Sequence, residues 1–470
     1  MQPWVIDLND AGIVVCDGNA VLATSPGYAT ALPNELLVGA SAFANSCVYP
    51  RQTVNTFWSQ FDTTPLRVPG APTRSAAEYI HAHLNEVVLA AGGAPQQPAI
   101  LLTPAQTSRD QLALLLGIAA QCQFNAVGLV DSAVAAAVSA GLTDGCLYLD
   151  VNLHCATVSY MQHTDEHFER TSSETIATVG WVTTRARMVQ TLCAGFVAQT
   201  RFDPHRHAAA EEQLHAYLEA LLTGRYDYEG GALLDIACNH GAIEHRIALS
   251  PDSLVLPLRE NQLHLLAAAQ RVAPRGTPLL LSAHAARVPG LADVLASLGN
   301  VYAVSELELA RTVLAHQQRI VHSEAAALPF IRRLPSRAKT SIDTTPQVLR
   351  NHRGGTRQQF FAMHNNTLRS VSEKPLHITV GMPGEKRNLD LATGDAQEVG
   401  VLLTRGDQLR LVVNDGVSAT LNNAGVRGTV TLSTGDVLAL PGTTATITIV
   451  ELATVELVQA EAETHRADKR

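Results

Sequence analysis

Between Pro98 and Val151 the chain alternates three continuous apolar runs, PAILLTP, NAVGLV and GCLYLDV, with two helical patterns. A strand that is apolar at nearly every position must be covered on both faces, and helices between such strands supply the crossovers that parallel strands require. The fold class is therefore α/β, with a mainly parallel central sheet. Ser108 is placed to cap the helix RDQLALLLGIAAQCQ, and Gly141 ends the helix DSAVAAAVSAG. A β-meander precedes this block (WVIDL, IVVCDG, NAVLATS), punctuated by Asn, Asp and Gly, and a helix is expected over 76–91.

The pattern returns further on. A helix over 208–222 and an exposed segment, GRYDYEGG, are followed by the strand PLLLSA, a helix over 290–298, the strand VYAVS and an amphipathic helix over 306–322. Residues 1–333 thus read as two α/β halves, about 1–145 and about 146–333. A polar stretch rich in Pro, Gly, Ser, Thr and Arg follows over 334–357 and reads as a linker. Residues 358–458 are short alternating strands between turn signals such as MPGEK, TRGD and NNAG, the pattern of an all-β sandwich, and 459–470 is a charged tail.

Charge and cysteine usage narrow the function classes. The formal net charge of -9 supplies no overall positive field, so no nucleic acid partner is expected. No apolar run reaches the roughly 18 residues of a membrane span, and the start, MQPWVIDLND, lacks a signal pattern, so no membrane insertion is expected. The seven cysteines contain no CxxC pair and read as free thiols of a reducing cytoplasm. The pairs His81/His83 and His205/His207 lack further ligands at metal spacing, so no metal site is expected.

Six stretches, in order, resemble the nucleotide-binding domain of the DnaK-type heat-shock chaperones, within the actin-like ATPase superfamily. VIDLNDAG is similar to the first phosphate loop, VGASAFANSCVYPRQTVNTF to the segment that carries the catalytic lysine, and AILLTPAQTSRDQLALLLGIAAQCQFNAVGLVDSAVAAAVSAG to the block before the second phosphate loop. LYLDVNLHCATVSYM is similar to that loop, PLLLSAHAARVPGLADVLASLG to the adenosine segment and SELELARTVLAHQQ to the second connecting helix. The resemblance implies a two-lobed actin-like fold, a duplicated sheet with flanking helices, and a nucleotide cleft.

The residues that hold nucleotide in that family have changed here. Glycines let backbone N–H groups approach phosphate, and a Cβ would intrude. The family's Asp-Leu-Gly-Gly-Gly-Thr corresponds to Asp150-Val151-Asn152-Leu153-His154-Cys155, and the Gly-Thr-Thr after Asp7 to Asn9-Asp10-Ala11. Trp58 stands where the lysine is expected, and Ala283-His284 where a Gly-Gly lies against the base, while Arg287 and Pro289 persist. Asp131 corresponds to a family glutamate. Asp7, Asp131 and Asp150 are the vestigial catalytic candidates; the alternative is that they cap turns and the helix near Ser132. Phosphoryl transfer depends on positioning and charge neutralisation, which three carboxylates without lysine do not provide.

Over Pro375 to Leu452, ITVGMPGEKRNLDL, GDQLRLVVNDGVSATLNNAGV and VTLSTGDVLAL resemble stretches of a forkhead-associated domain, with candidate loop residues Gly381, Arg387, Asn422 and Asn423. That family's Gly-Arg appears as Gly381-Met382, and its Ser-x-x-His falls on Ala396 and Val399. Arg387 or Arg405 is a candidate substitute for the phosphate-binding arginine, and the linker's KTSIDTTP is a candidate ligand in cis. The resulting expectation is a cytoplasmic, bacterial-type pseudo-ATPase acting as an interaction or assembly factor on a protein partner, with no cofactor. The alternatives are an ATPase that still couples Mg-ATP to partner binding and a polymerising actin-like protein. Apolar packing of Trp58, with His154 and His284, is expected to replace nucleotide as the glue of the cleft.

Overall fold

The computed structural model describes residues 2–223, 233–274, 276–321, 328–336 and 347–350, together with the strands and a few turn residues between 357 and 454. The chain divides into two compact units, Met1–His352 and Arg353–Arg470. In the first, Trp4–Asp7 (β1), Ile13–Cys16 (β2) and Val21–Ser25 (β3) form the expected meander, and Ala76–Ala90 (α1) covers it. Gln97–Thr103 (β4), Arg109–Ala119 (α2), Phe124–Asp131 (β5) and Ser132–Ser139 (α3) follow. Then come Cys146–Val151 (β6), Ala156–Thr164 (β7), His167–Ile176 (β8) and the helices Trp181–Thr200 (α4), Ala208–Leu222 (α5) and Arg259–Val272 (α6). Leu279–Ser282 (β9), Val301–Val304 (β10) and Glu306–Ala315 (α7) complete the pattern.

One topology occurs twice. The strand order 3-2-1-4-5 of the first sheet, with β1 parallel to β4 and β4 to β5, is repeated by β8-β7-β6-β9-β10, where β6 is parallel to β9 and β9 to β10. Capping boxes fix three helix starts: Ser75 with Glu78, Ser108 with Gln111, and Ser305 with Glu308. The apolar core lies in three layers. One joins the first sheet to α1 and α2, a second joins both sheets through α3 and α7, and a third packs the second sheet against α4, α5 and α6. Every residue of α3 is buried, and its Ser/Ala/Val composition lets two sheets close around it.

Three expectations need correction. The helix over 290–298 is confined to Leu291–Leu295. The helix over 306–322 breaks at His316, whose amide is shared between the Thr312 and Val313 carbonyls and whose Nδ1 also contacts Thr312 O, so a separate turn, Gln317–Ile320, follows. The stretch read as a linker supplies strands. Arg333–Pro335 pairs with β8, and Gln347–Arg350 pairs with β10, closing both edges of the seven-stranded sheet.

In the second unit two sheets, of six and five strands, share one apolar core that includes Ile378, Leu402, Leu411, Leu438 and Ile449. The pair Leu376–Val380 and Asn388–Asp390 is parallel. Among the described residues no helix is long and apolar enough to cross a membrane. All seven cysteines are free.

Candidate functional site

The β1–β2 and β6–β7 hairpins, the two segments compared above with phosphate loops, meet directly. Asn9 Nδ2 donates to Asp150 Oδ1 at 2.8 Å and to Val151 O at 3.1 Å, while Asn9 Oδ1 accepts from the Ala11 amide at 2.8 Å. Asp10 Oδ1 accepts from the Leu153 amide at 2.7 Å. Asn9, Asp10, Asp150 and Asn152 are all buried. Asn9 and Asp10, which stand for the Gly and first Thr of the family's first loop, therefore act as the two arms of a clasp on the second.

The second loop already occupies two amides at the start of the adjoining helix. The Trp181 and Val182 amides at the start of α4 donate to Asn152 O and Leu153 O, both at 2.9 Å. Those are groups a helix N-terminus otherwise offers to phosphate. Gly180 allows the approach, since a Cβ there would stand 2.4 Å from Leu153 O. His284 closes the other side: its Nε2 donates to Gly12 O at 3.2 Å, and burial, followed by the charge of Arg287, lowers its pKa to about 4, which leaves the ring neutral.

The acidic groups are held at a cost. Burial, then the carboxylates of Asp150 and Glu306, raises Asp7 well above the usual carboxylate range. Burial raises Asp10 to about 7, partly offset by the Leu153 amide, and burial also raises Asp150 against the hydrogen bonds of Ser282 and Asn9. Asp131 is engaged elsewhere. Its Oδ1 caps α3 through the Ala133 amide at 3.0 Å, and its Oδ2 accepts from Arg170 Nε at 2.6 Å. The capping alternative thus describes Asp131.

Trp58 does not bridge the two sheets. It packs with Phe57, Phe61 and Tyr79 in the core of the first sheet, and its Nε1 donates to His83 Nδ1 at 3.0 Å. His83 in turn contacts Ser25 Oγ at 2.8 Å, so it is a buried packing histidine, and among the described residues no group of three metal-ligating side chains occurs. The expected apolar glue is corrected to a polar joint, to which His154 adds a contact from Nε2 to Asn55 O at 2.9 Å. Ala283 starts the turn Ala283–Ala286, and Arg287 lies 3.5 Å from Glu306.

Two cavities flank the clasp. One of about 310 Å³ is lined by Asp10, Trp58, Phe61, Gln106, Asn152 and His154 among others. The other, of about 260 Å³, is lined by Gly12, Trp181, Arg185, Glu219, His284 and Arg287 among others. They share no lining residue. Both are at or below the lower end of the range for small-molecule sites.

In the second unit, Asn422 holds a turn rather than an open loop: it has φ 51°, its Nδ2 donates to Asp436 Oδ1 at 2.8 Å, and its Oδ1 accepts from the Val437 amide at 2.9 Å. Val399, aligned above with a binding histidine, is a core residue. Gly381, Met382, Arg387, Ala396, Asn423 and the KTSIDTTP segment lie outside the described residues, as does the side chain of Arg405. Sequence reasoning missed Arg170, Ser282, Gly180 and the Leu153 amide. The sequence matches no protein-family model and no curated protein.

Asn9→Ala removes both bonds from the first arm of the clasp and leaves the Asp150 carboxyl to Ser282. The expected loss is about 2 kcal/mol, at roughly 1 kcal/mol per buried hydrogen bond, read by denaturant unfolding.

Proposed function

We propose that the first unit is a pseudo-ATPase of the DnaK and actin-like class, held closed by its own side chains, and that the protein works as an interaction or assembly factor with little or no ATP hydrolysis. The observation that carries this reading is the clasp. In the family the chain resembles, phosphate oxygens occupy the space between two glycine-rich hairpins; here Asn9 and Asp10 span from one hairpin to the other. The repeated strand order supports the two-lobed fold of that class. Charge supports the loss of nucleotide, because Asp7, Asp10 and Asp150 are buried near one another and each is already raised towards its neutral form. Ionising any of them beside a polyanion costs further Coulomb energy.

A joint built from side chains leaves the body permanently assembled, which suits a rigid platform for a protein partner. The β unit is then a second contact module, used for its shape. Isothermal titration with Mg-ATP and Mg-ADP tests the reading. No heat of binding at millimolar nucleotide is expected, and turnover of ATP that Asp150→Asn abolishes would overturn it.

A further inference from the structure

Of the two cavities that flank the clasp, the one of about 310 Å³ has a lining whose chemistry is opposite to that of a phosphate site. None of its lining residues is Lys or Arg, and Asp10 supplies its one carboxyl group. The charged group that acts on Asp10 is the carboxylate of Asp150. Cys155 contributes no thiolate, since burial raises its pKa to about 12. Above pH 7, where Asp10 ionises, the field in the cavity is therefore negative, and desolvation strengthens it.

Its walls are aromatic. Trp58 and Phe61 stand edge to face at 5.6 Å, and the bond from Trp58 Nε1 to His83 fixes the indole. Asn152, 2% exposed, lines the same cavity and keeps its amide nitrogen without a hydrogen-bond partner. A buried donor left unmade is costly, and an acceptor brought by a ligand removes that cost. The rim is uncharged and polar, with Ser59 and Gln106 exposed.

We propose that this cavity binds a small organic cation, an amine with an aromatic body and a hydrogen-bond acceptor. The ammonium group faces Asp10, the ring lies against Trp58 and Phe61, and the acceptor meets the Asn152 amide. Aromatic faces and a carboxylate together recognise such cations, through the ring quadrupole and a charge-assisted hydrogen bond. The site goes beyond the pseudo-ATPase reading and gives the closed cleft a ligand of its own.

Three probes of nearly equal size separate charge from shape: tyramine (cationic), tyrosol (neutral) and 4-hydroxyphenylacetate (anionic). Ligand-observed NMR titration of the full chain is expected to give affinities in that order, about tenfold apart at each step. Asp10→Asn should erase the preference for tyramine over tyrosol, and Asn152→Ala should weaken both about tenfold. Thr107→Phe, at the partly exposed rim and away from the clasp, should block all three while leaving the thermal transition in place. Absence of binding at millimolar tyramine, equal binding of the anion, or a preference that survives Asp10→Asn would each overturn the proposal. Mg-ATP titration reads the pseudo-ATPase account separately, so failure of one does not imply failure of the other.

Discussion

Asp131→Ala is expected to destabilise the first unit by about 3–5 kcal/mol, the cost of breaking a buried ion pair from one side. The Asp131 side chain is fully buried and Arg170 is 12% exposed, so truncation leaves a guanidinium in the interior without its carboxylate. It also removes the cap of α3, the helix on which both sheets pack. Chemical denaturation followed by tryptophan fluorescence measures the loss, because all three tryptophans, Trp4, Trp58 and Trp181, belong to this unit. Asp131→Ala combined with Arg170→Met should recover much of it, since no charge is then stranded. A single variant as stable as the parent would mean that Asp131 is not a structural group.

Asp10→Asn is expected to stabilise the protein above neutral pH. The folded-state pKa of Asp10 is raised from 3.8 to about 7, so the favourable contribution of its protonated form is complete below the unfolded value and is lost as pH rises through 7. Once ionised, the carboxyl forfeits up to roughly 4 kcal/mol. Asparagine keeps an oxygen to accept from the Leu153 amide and cannot ionise. The variant should therefore melt higher than the parent at pH 8, and the gap should shrink as the pH is lowered towards 4. Melting curves of the two proteins across that range give the difference directly; a gap independent of pH would contradict the assignment.

Much of the scaffold was legible because its signals are local. The runs at β4, β5 and β6 are apolar on both faces, and Ser108 and Asp131 sit at cap positions beside helical periodicity. The edge strands at Arg333–Pro335 and Gln347–Arg350 fall almost wholly in the stretch that reads as linker, because three or four residues in a polar stretch carry no period. The break at His316 comes from a side chain competing for the Thr312 carbonyl, which apolar spacing does not register.

The candidate site was legible in composition but not in geometry. The loss of glycines is plain in the sequence, whereas the bonds made by the residues that replace them are not. Asn9 meets Asp150 from 141 residues away, and Asp10 is held by a backbone amide, which has no sequence signature. The lysine position of Trp58 suggests a filler of the cleft, whereas its partners Phe57, Phe61 and His83 hold it in one half of the core.

Amide hydrogen exchange at Leu153 tests the clasp itself. Its N–H is bonded to the buried Asp10 carboxyl, so the account predicts slow exchange in the ligand-free protein and the same rate with millimolar Mg-ATP. Fast exchange without ligand, slowed by nucleotide, would show that the hairpins part and close on phosphate, and would contradict a cleft held shut by its own side chains.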